Sequence, residues 1–371
     1  MNLMNTPRSV ELAITSRCNL RCTYCSHFTS AGDVGQDLPT QEWLTFFEEL
    51  ARNAVMNVTI EGGEPFCRED LGDLIEGIVR NRMRFNILSN GTLITNEIAA
   101  FLGSTGRCDG VQISIDGSIP GTHDIFRGEG SLAKAIDGIK CLQKHSVPVP
   151  VRVTIHRQNV RHLEDTAKLL LEEIGLSGFS TNAASHMGRC RHDAQKVQLT
   201  VDERSFAMET LLRLKSRYKG RISASAGPLA EAENWLEMEE ARRSGKKSIP
   251  GRGFLTSCGG IMNKIDVRAD GVLVPCIQMS HIELGRINRD DLKGVWQNHS
   301  ELKRLRERRS TSLGDFDFCG GCDYITYCAG NCPALAYTTV GEENHPSPDA
   351  CLKRFLEAGG RLPNNRPWAG A

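Results

Sequence analysis

The sequence predicts an α/β fold, a partial barrel of six parallel strand–helix units in a TIM-like (β/α)6 arrangement, carrying a separate cysteine-rich domain toward its C-terminal end. Three observations lead there. From about residue 9 to 185, short β-branched runs alternate with amphipathic stretches, the pattern of parallel βα units. Cysteine then returns in a dense second group between Cys258 and Cys351. A length of 371 residues is long for one compact domain and comfortable for a barrel with an appendage.

The predicted strands are Val10–Thr15, Asn57–Glu61, Phe85–Ser89, Gly110–Ile115, Val151–Ile155 and Gly178–Ala183. Between them, Gln41–Arg52, Leu71–Met83, Asn96–Leu102, Ser131–His145 and Leu163–Ile174 carry apolar residues at three- and four-residue steps and read as helices. Beyond residue 186 the pattern loosens into long polar helices, Asp202–Lys219 and Leu229–Arg243, which read as a bridge. The resulting divisions are a barrel over 1–190, a helical bridge over 191–251, a cysteine-rich domain over 252–356 and a tail over 357–371.

Composition narrows the classes. The 45 basic and 45 acidic residues cancel, so no global field favours nucleic acid or an anionic membrane. No apolar run reaches the length of a membrane span, and Met1 to Arg8 are polar. A cytoplasmic protein is expected. Its 14 cysteines, with no export signal, then argue for reduced thiols and metal ligation, not a disulfide framework.

Cys18, Cys22 and Cys25 lie in one loop after the first predicted strand, where parallel α/β folds place their active sites. Three thiolates can hold three corners of a four-iron cluster and leave the fourth iron open. A zinc site, with His27 as its fourth ligand, and a structural ferredoxin-type cluster are the alternatives on local spacing. Gly62-Gly63-Glu64-Pro65 follows the second strand, where glycines let backbone groups approach a ligand. Ser89-Asn90 ends the third strand and Ser114-Ile115-Asp116 the fourth; singly, such segments are tight turns. Together they share one rim. This constellation resembles the radical S-adenosylmethionine (AdoMet) enzymes. The resemblance implies that AdoMet chelates the open iron, that the backbone of Gly62, Gly63, Glu64 and Pro65 receives its amino group, and that Ser89, Asn90, Ser114 and Asp116 surround its carboxylate and ribose.

The second group runs Cys258, Cys276, Cys319, Cys322, Cys328, Cys332 and Cys351. Paired zinc knuckles are the alternative on this stretch alone. With Gly271-Val-Leu-Val-Pro-Cys276, Leu284-Gly-Arg-Ile287 and Cys328-Ala-Gly-Asn-Cys-Pro333, it resembles the SPASM domain of a subset of radical AdoMet enzymes. That resemblance implies two auxiliary iron–sulfur clusters beside the radical [4Fe–4S] cluster: a [4Fe–4S] cluster on Cys319, Cys322, Cys328 and Cys351, and one on Cys258, Cys276 and Cys332 that is either a [4Fe–4S] cluster with an iron open to water, a non-cysteine ligand or a substrate group, or a cluster smaller than a cube.

Of the remaining cysteines, Cys108 and Cys141 read as core, because free cysteine behaves as a small buried hydrophobe. Cys67 and Cys190 read first the same way, but both fall near strand ends and are candidates for a thiol proton or hydrogen-atom relay, or for the missing cluster ligand. The run Lys303-Arg304-Leu-Arg306-Glu-Arg308-Arg309 reads as a solvated helix face and a candidate surface for an acidic peptide.

The resemblance implies a maturase that abstracts hydrogen from a residue of a ribosomally made precursor peptide, installing a crosslink, an oxidation or a backbone rearrangement. With 17 residues before Cys18, a separate leader-recognition protein is expected, and flavodoxin or ferredoxin as reductant. The nearest alternative is an anaerobic sulfatase maturase, which forms formylglycine. Its pattern places an aspartate base after the cysteine aligned with Cys276, and here that residue is Ile277; Gln278, His281 and Glu283 are the substitutes nearby. A non-catalytic iron–sulfur electron-transfer protein is the alternative from another class.

Overall fold

The computed structural model describes residues 3–26, 36–256 and 258–363. Among the described residues ten strands follow in chain order: β1 (Ser9–Thr15), β2 (Asn57–Gly62), β3 (Arg84–Ser89), β4 (Cys108–Ser114), β5 (Val151–Ile155), β6 (Phe179–Ala183), β7 (Ile222–Ala224), β8 (Lys264–Val267), β9 (Val272–Val274) and β10 (Gly285–Arg286). The six expected strands are all present within a few residues of the sequence limits. Four more were not anticipated.

The chain divides into two compact units, each drawn from separate stretches. They cut across the sequence divisions at 190 and 251. Unit 1 comprises residues 1–114, 127–150 and 258–306. Its strands run β10-β9-β8-β1-β2-β3-β4, parallel from β8 through β4, with β9 and β10 antiparallel. The strand Lys264–Val267 thus belongs beside β1, in the barrel sheet. One sheet face is apolar, with Val10, Leu12, Ile60, Phe85 and Ile87 fully buried or nearly so. Trp43, Phe46, Phe47 and Leu50 of the helix Thr40–Arg52 are wholly buried, as are Leu74 and Ile78 of Leu71–Arg80. Burying each such side chain is worth about 1.5–3 kcal/mol. The helix Leu71–Arg80 stops short of the expected Met83 because Arg82 turns left-handed, at φ 59°.

Unit 2 comprises residues 115–126, 151–257 and 307–371, and its strands β5-β6-β7 are parallel. The helix Pro228–Arg243, read from sequence as bridge, is core: Ala232, Trp235, Met238 and Ala241 pack with Met208, Tyr327, Leu352 and Phe355. A buried stripe at three-residue steps in a polar sequence is the ordinary amphipathic solution.

The basic run is also corrected. Arg306 is buried, donates to the carbonyls of Ile261 and Trp296, and lies 4.1 Å from the Trp296 ring centroid. Arg308, 1% exposed, donates to the carbonyls of Thr256, Asn331 and Glu343. Both serve as internal struts. Among the described residues, no helix is long and apolar enough to cross a membrane.

Candidate functional site

The cysteine loop leaves β1 at Thr15. A tight turn closes between Cys22 and Cys25, whose amide donates to the Cys22 carbonyl (3.2 Å), and the Leu20 amide points at the Cys18 sulfur (3.4 Å). Burial, together with the nearby Glu64, Cys22 and Cys25, pushes the Cys18 thiol up to about 12. Three thiols crowded at one rim disfavour a lone thiolate and fit a cation that would take all three. His27 lies outside the described residues.

Asp37 and Arg68 position this loop, and the sequence reading missed both. Asp37 accepts from Thr15 Oγ1 (2.5 Å) and from the Ser16 amide and hydroxyl (both 2.8 Å), and pairs with Arg17 (3.5 Å). Although burial pushes its carboxyl up, these donors outweigh it and hold the group below the usual carboxylate range. Arg68, buried, donates to the carbonyls of Ile14 (2.6 Å) and Leu38 (2.8 Å) while its fork grips Asp70. A polar residue in a loop carries no periodic signal, so only the folded arrangement reveals the clamp.

The Gly62-Gly63 pair packs against this loop. The Gly63 and Glu64 amides donate to the carbonyls of Thr15 and Arg17, each at 2.8 Å. A Cβ on Gly62, which sits at φ 139°, would collide with the Thr15 oxygen, and one on Gly63 with the Arg17 oxygen. The close approach that requires glycine is therefore to the cysteine loop itself. Pro65 follows, buried, at the start of a short turn ending at Cys67.

Most of the other rim residues are engaged in holding the rim. Glu64 is 1% exposed and accepts from Ser89 Oγ and the Asn90 amide (both 2.8 Å), and burial pushes its carboxyl up to about 7 against those bonds. The Asn90 side chain bonds Asn19 (2.9 Å) and the Thr92 amide and hydroxyl (2.9 and 2.6 Å), and Asn19 closes the ring to Thr92 (2.8 Å). Ser114 ends β4, half-buried. In unit 2, Asp116 is wholly buried; its carboxylate accepts from the Thr154 amide (2.9 Å) of β5 and its amide donates to His123 Nδ1 (3.0 Å). The side chains of Ser89, Asn90 and Asp116, which the resemblance places around AdoMet, also make hydrogen bonds that fix these loops, and Glu64, whose backbone is the part expected at the AdoMet amino group, uses its side chain in the same way. Tyr24, buried, lies under the Arg127 guanidinium at 5.4 Å.

The two candidate relay thiols differ. Cys67 sits 3.9 Å from Asn19 Oδ1, partly exposed beside the cysteine loop. Cys190 is 0% exposed, and burial pushes it up to about 11, as for a cysteine packed in the core. The base candidates near Cys276 are peripheral: His281 and Glu283 are exposed, Glu283 is ion-paired with Arg268 (3.0 Å), and Gln278 is half-buried in a short turn.

In unit 2, Cys319, Cys322, Cys328 and Cys351 line one cavity of about 250 Å³ with Phe318, Tyr324 and Lys353. Burial and the three other thiols push Cys319 up to about 12. Cys332 is exposed at the start of the helix Pro333–Val340, on a separate cavity of about 660 Å³ lined also by Arg204, Glu231, Trp235 and Arg252. In unit 1, Cys258 caps a short helix at Gly259, and Cys276 follows β9.

Residues 12–170 match the radical SAM superfamily model, and residues 258–323 the model of SPASM, an iron–sulfur cluster-binding domain. The PqqA peptide cyclase of Rhodopseudomonas palustris is 35% identical over 351 residues, covering 93% of this chain and 87% of that protein. The chain is a radical SAM enzyme with a C-terminal SPASM domain. The AdoMet-dependent heme synthase of Methanosarcina barkeri is 26% identical over 357 residues, 95% of this chain and 98% of that protein. Streptococcus suis SuiB bound to precursor peptide SuiA shares the fold, with TM-score 0.70 at 15% identity over 94% of this chain and 77% of that one. The expected α/β partial barrel with a SPASM domain is the fold of this family, and AdoMet, a radical-type [4Fe–4S] cluster and auxiliary iron–sulfur ligation come with it.

Proposed function

We propose that this radical SAM enzyme abstracts hydrogen from a residue of a ribosomally made precursor peptide and so installs a crosslink, an oxidation or a backbone rearrangement. Cys18, Cys22 and Cys25 would hold the radical cluster, which when bound supplies the electron that cleaves AdoMet to a 5′-deoxyadenosyl radical. The chain's own contribution is placement. Asp37 and Arg68 fix the cysteine loop, Gly62 and Gly63 let it dock on β2, and the Asn19–Thr92–Asn90 ring ties it to β3. Tyr24 beneath Arg127 helps exclude water there. Cys319, Cys322, Cys328 and Cys351 would hold one auxiliary cluster, and Cys258, Cys276 and Cys332 a second. An external donor such as flavodoxin or ferredoxin would deliver the electron.

The observation that carries the peptide reading is the 35% identity, over nearly the whole chain, to a peptide cyclase. The cavity of about 660 Å³ beside Cys332 is compatible with it, being in the size range of ligand-binding clefts. Formylglycine formation has less support: Ile277 stands where that activity has its base, and only its backbone amide is used, donating to Asp266 (2.8 Å).

The test is anaerobic. The reconstituted protein is given AdoMet, dithionite and synthetic peptides made from any short reading frames found beside its gene, and 5′-deoxyadenosine and peptide mass are read. Nucleoside from wild type but not Cys22→Ala, with a mass change in the peptide, is the expected result. A protein loaded with about twelve irons, as three four-iron clusters, that makes no nucleoside would overturn the reading.

A further inference from the structure

β1, β2 and β8 carry charge where an apolar barrel strand has none. Glu11 pairs in register with Thr59 of β2 and with Asp266 of β8, and Ala13 with Glu61. Because successive side chains alternate faces, Glu11, Glu61, Lys264 and Asp266 all lie on the face opposite the buried Val10, Leu12, Ile60 and Ile265. A carboxylate oxygen from each of Glu11, Glu61 and Asp266 lies within 4.8 Å of the others. Lys264 Nζ bridges Glu11 and Asp266, at 3.0 Å from the latter, and Asp266 also accepts from the Ile277 amide (2.8 Å).

That leaves Glu61. Its Oε1 is buried with no hydrogen-bond partner among the described residues. Burial, and the Asp266 and Glu11 carboxylates beside it, push its carboxyl up. The residue is only partly buried, but a carboxylate oxygen shut away from water without a partner is costly. Three carboxyl groups share one ammonium, so the cluster lacks positive charge. The position is pointed as well: Glu61 directly precedes Gly62-Gly63, the turn that docks on the cysteine loop, at the carboxyl end of β2.

We propose that Glu61, backed by Glu11, Lys264 and Asp266, is a substrate subsite that receives one protonated amine. The inference rests on the radical reading above and adds the chemistry of the substrate group. A divalent metal fits less well, because Lys264 already occupies the seat between Glu11 and Asp266, and a hard cation needs several oxygen ligands. A lysine side chain or a peptide amino terminus both carry the required ammonium.

The test reads hydrogen transfer from small probes with different head groups. The reconstituted wild-type holoenzyme receives AdoMet, dithionite and carbon-deuterated n-butylamine, n-butanol or butyrate. The fraction of 5′-deoxyadenosine carrying deuterium is then measured by mass spectrometry. A charge-assisted contact predicts about tenfold more deuterium from the amine than from the alcohol or the acid. The preference should fall to the alcohol level in Glu61→Gln. Deuterated Nα-acetyl-lysine methylamide against alanine methylamide separates a side-chain ammonium from a chain terminus, and preferential transfer from either supports the subsite. Equal labelling from all three head groups, with nucleoside still formed, overturns the subsite and leaves the radical reading intact. Absence of nucleoside with every probe overturns both. An amine preference that survives in Glu61→Gln, with AdoMet binding weakened instead, assigns Glu61 to AdoMet and also overturns the proposal. The head-group comparison is made on wild type and stands whether or not the variant loads iron.

Discussion

Cys18, Cys22 and Cys25 hang from a loop that closes one backbone turn, Cys22 to Cys25, and that side chains clamp from several directions, whereas Cys319, Cys322, Cys328 and Cys351 each sit in a short turn closed by their own backbone. In the first set, Asp37, Arg68 and the Asn19–Thr92–Asn90 ring do the holding. In the second, the amides of Cys319, Cys322, Cys328 and Cys351 each donate three residues back, to Phe316, Cys319, Ile325 and Pro348, at 2.9–3.3 Å. On the proposed ligand assignment, the difference follows from ligand count. A site that must leave one coordination position open cannot rely on its metal to shape it, so the fold supplies the rigidity. Four thiols around one cavity can be organised by the group they hold, and that group then becomes part of the folding energy.

The largest effects should separate the two sets. Cys22→Ala should abolish 5′-deoxyadenosine formation while leaving the melting temperature within a few degrees of wild type. Cys328→Ala should lower it by about 10 °C, because a metal-organised region loses several kcal/mol with one ligand. Anaerobic calorimetry with iron analysis checks both. If Cys22→Ala melts as early as Cys328→Ala, the contrast between a scaffold-held and a metal-held site is wrong.

Glu64 provides a pH handle on the clamped side. Its folded carboxyl is raised from 4.5 to about 7, chiefly by burial. Below the lower value both folded and unfolded chains hold the proton, and above the upper value neither does. In between, only the folded chain holds it, so stability falls as pH rises from 4.5 to about 7. The full swing is about 3 kcal/mol. Glu64→Gln should flatten the dependence of the urea midpoint between pH 5 and pH 8, and equal slopes in both proteins would show that the buried carboxyl does not govern it.

Asp37→Ala should cut AdoMet cleavage by about 100-fold, the scale on which a displacement of roughly 1 Å is felt. Asp37→Asn, which keeps an acceptor for the Ser16 amide, should lose less. Iron content should stay near wild type in both, since the three thiols remain. A loss of iron matching the loss of rate would mean that Asp37 secures the metal and not the geometry. Acid should mimic the substitution: the carboxyl is held below its usual range, so its contribution is complete above pH 4 or so and fades as pH falls through the depressed folded value.

Much of this was legible in the sequence, and what was hidden has physical reasons. Val10–Thr15 and Val151–Ile155 announce themselves by β-branched runs, and the cysteine spacing identifies the family. Lys264–Val267 does not, because Lys264 and Asp266 break the apolar pattern on one face, so a strand that pairs with β1 was left within the limits of the cysteine-rich domain. The helix Pro228–Arg243 was masked by its mean polarity, although Trp235 and Met238 on its stripe are 1% exposed. Arg306 and Arg308 looked like a solvated face because charge was read without partners, and backbone carbonyls are partners no sequence displays. Glu64 and Asn90 matched the family pattern, but only their folded partners show that their side chains are engaged with neighbouring loops.

Lys353 tests the metal-held set at its weakest lever. It donates to the Gly320 carbonyl (3.3 Å) and lies close enough to Cys319 and Cys322 to favour their thiolates, against the burial that pushes both up. A fixed positive charge beside an iron–sulfur site favours its reduced, more negative state. Lys353→Met should therefore move the midpoint of that auxiliary centre in the negative direction. The shift should correspond to less than about 1 kcal/mol, since the lysine is partly solvated and its charge is screened. Iron content and melting temperature should not change measurably, because four thiolates remain. Potentiometric titration followed by electron paramagnetic resonance reads the shift directly. A large loss of iron on removing this one charge would mean that the turns around Cys319 and Cys322 are organised by their surroundings after all, and the distinction between the two thiol sets would narrow to the number of ligands alone.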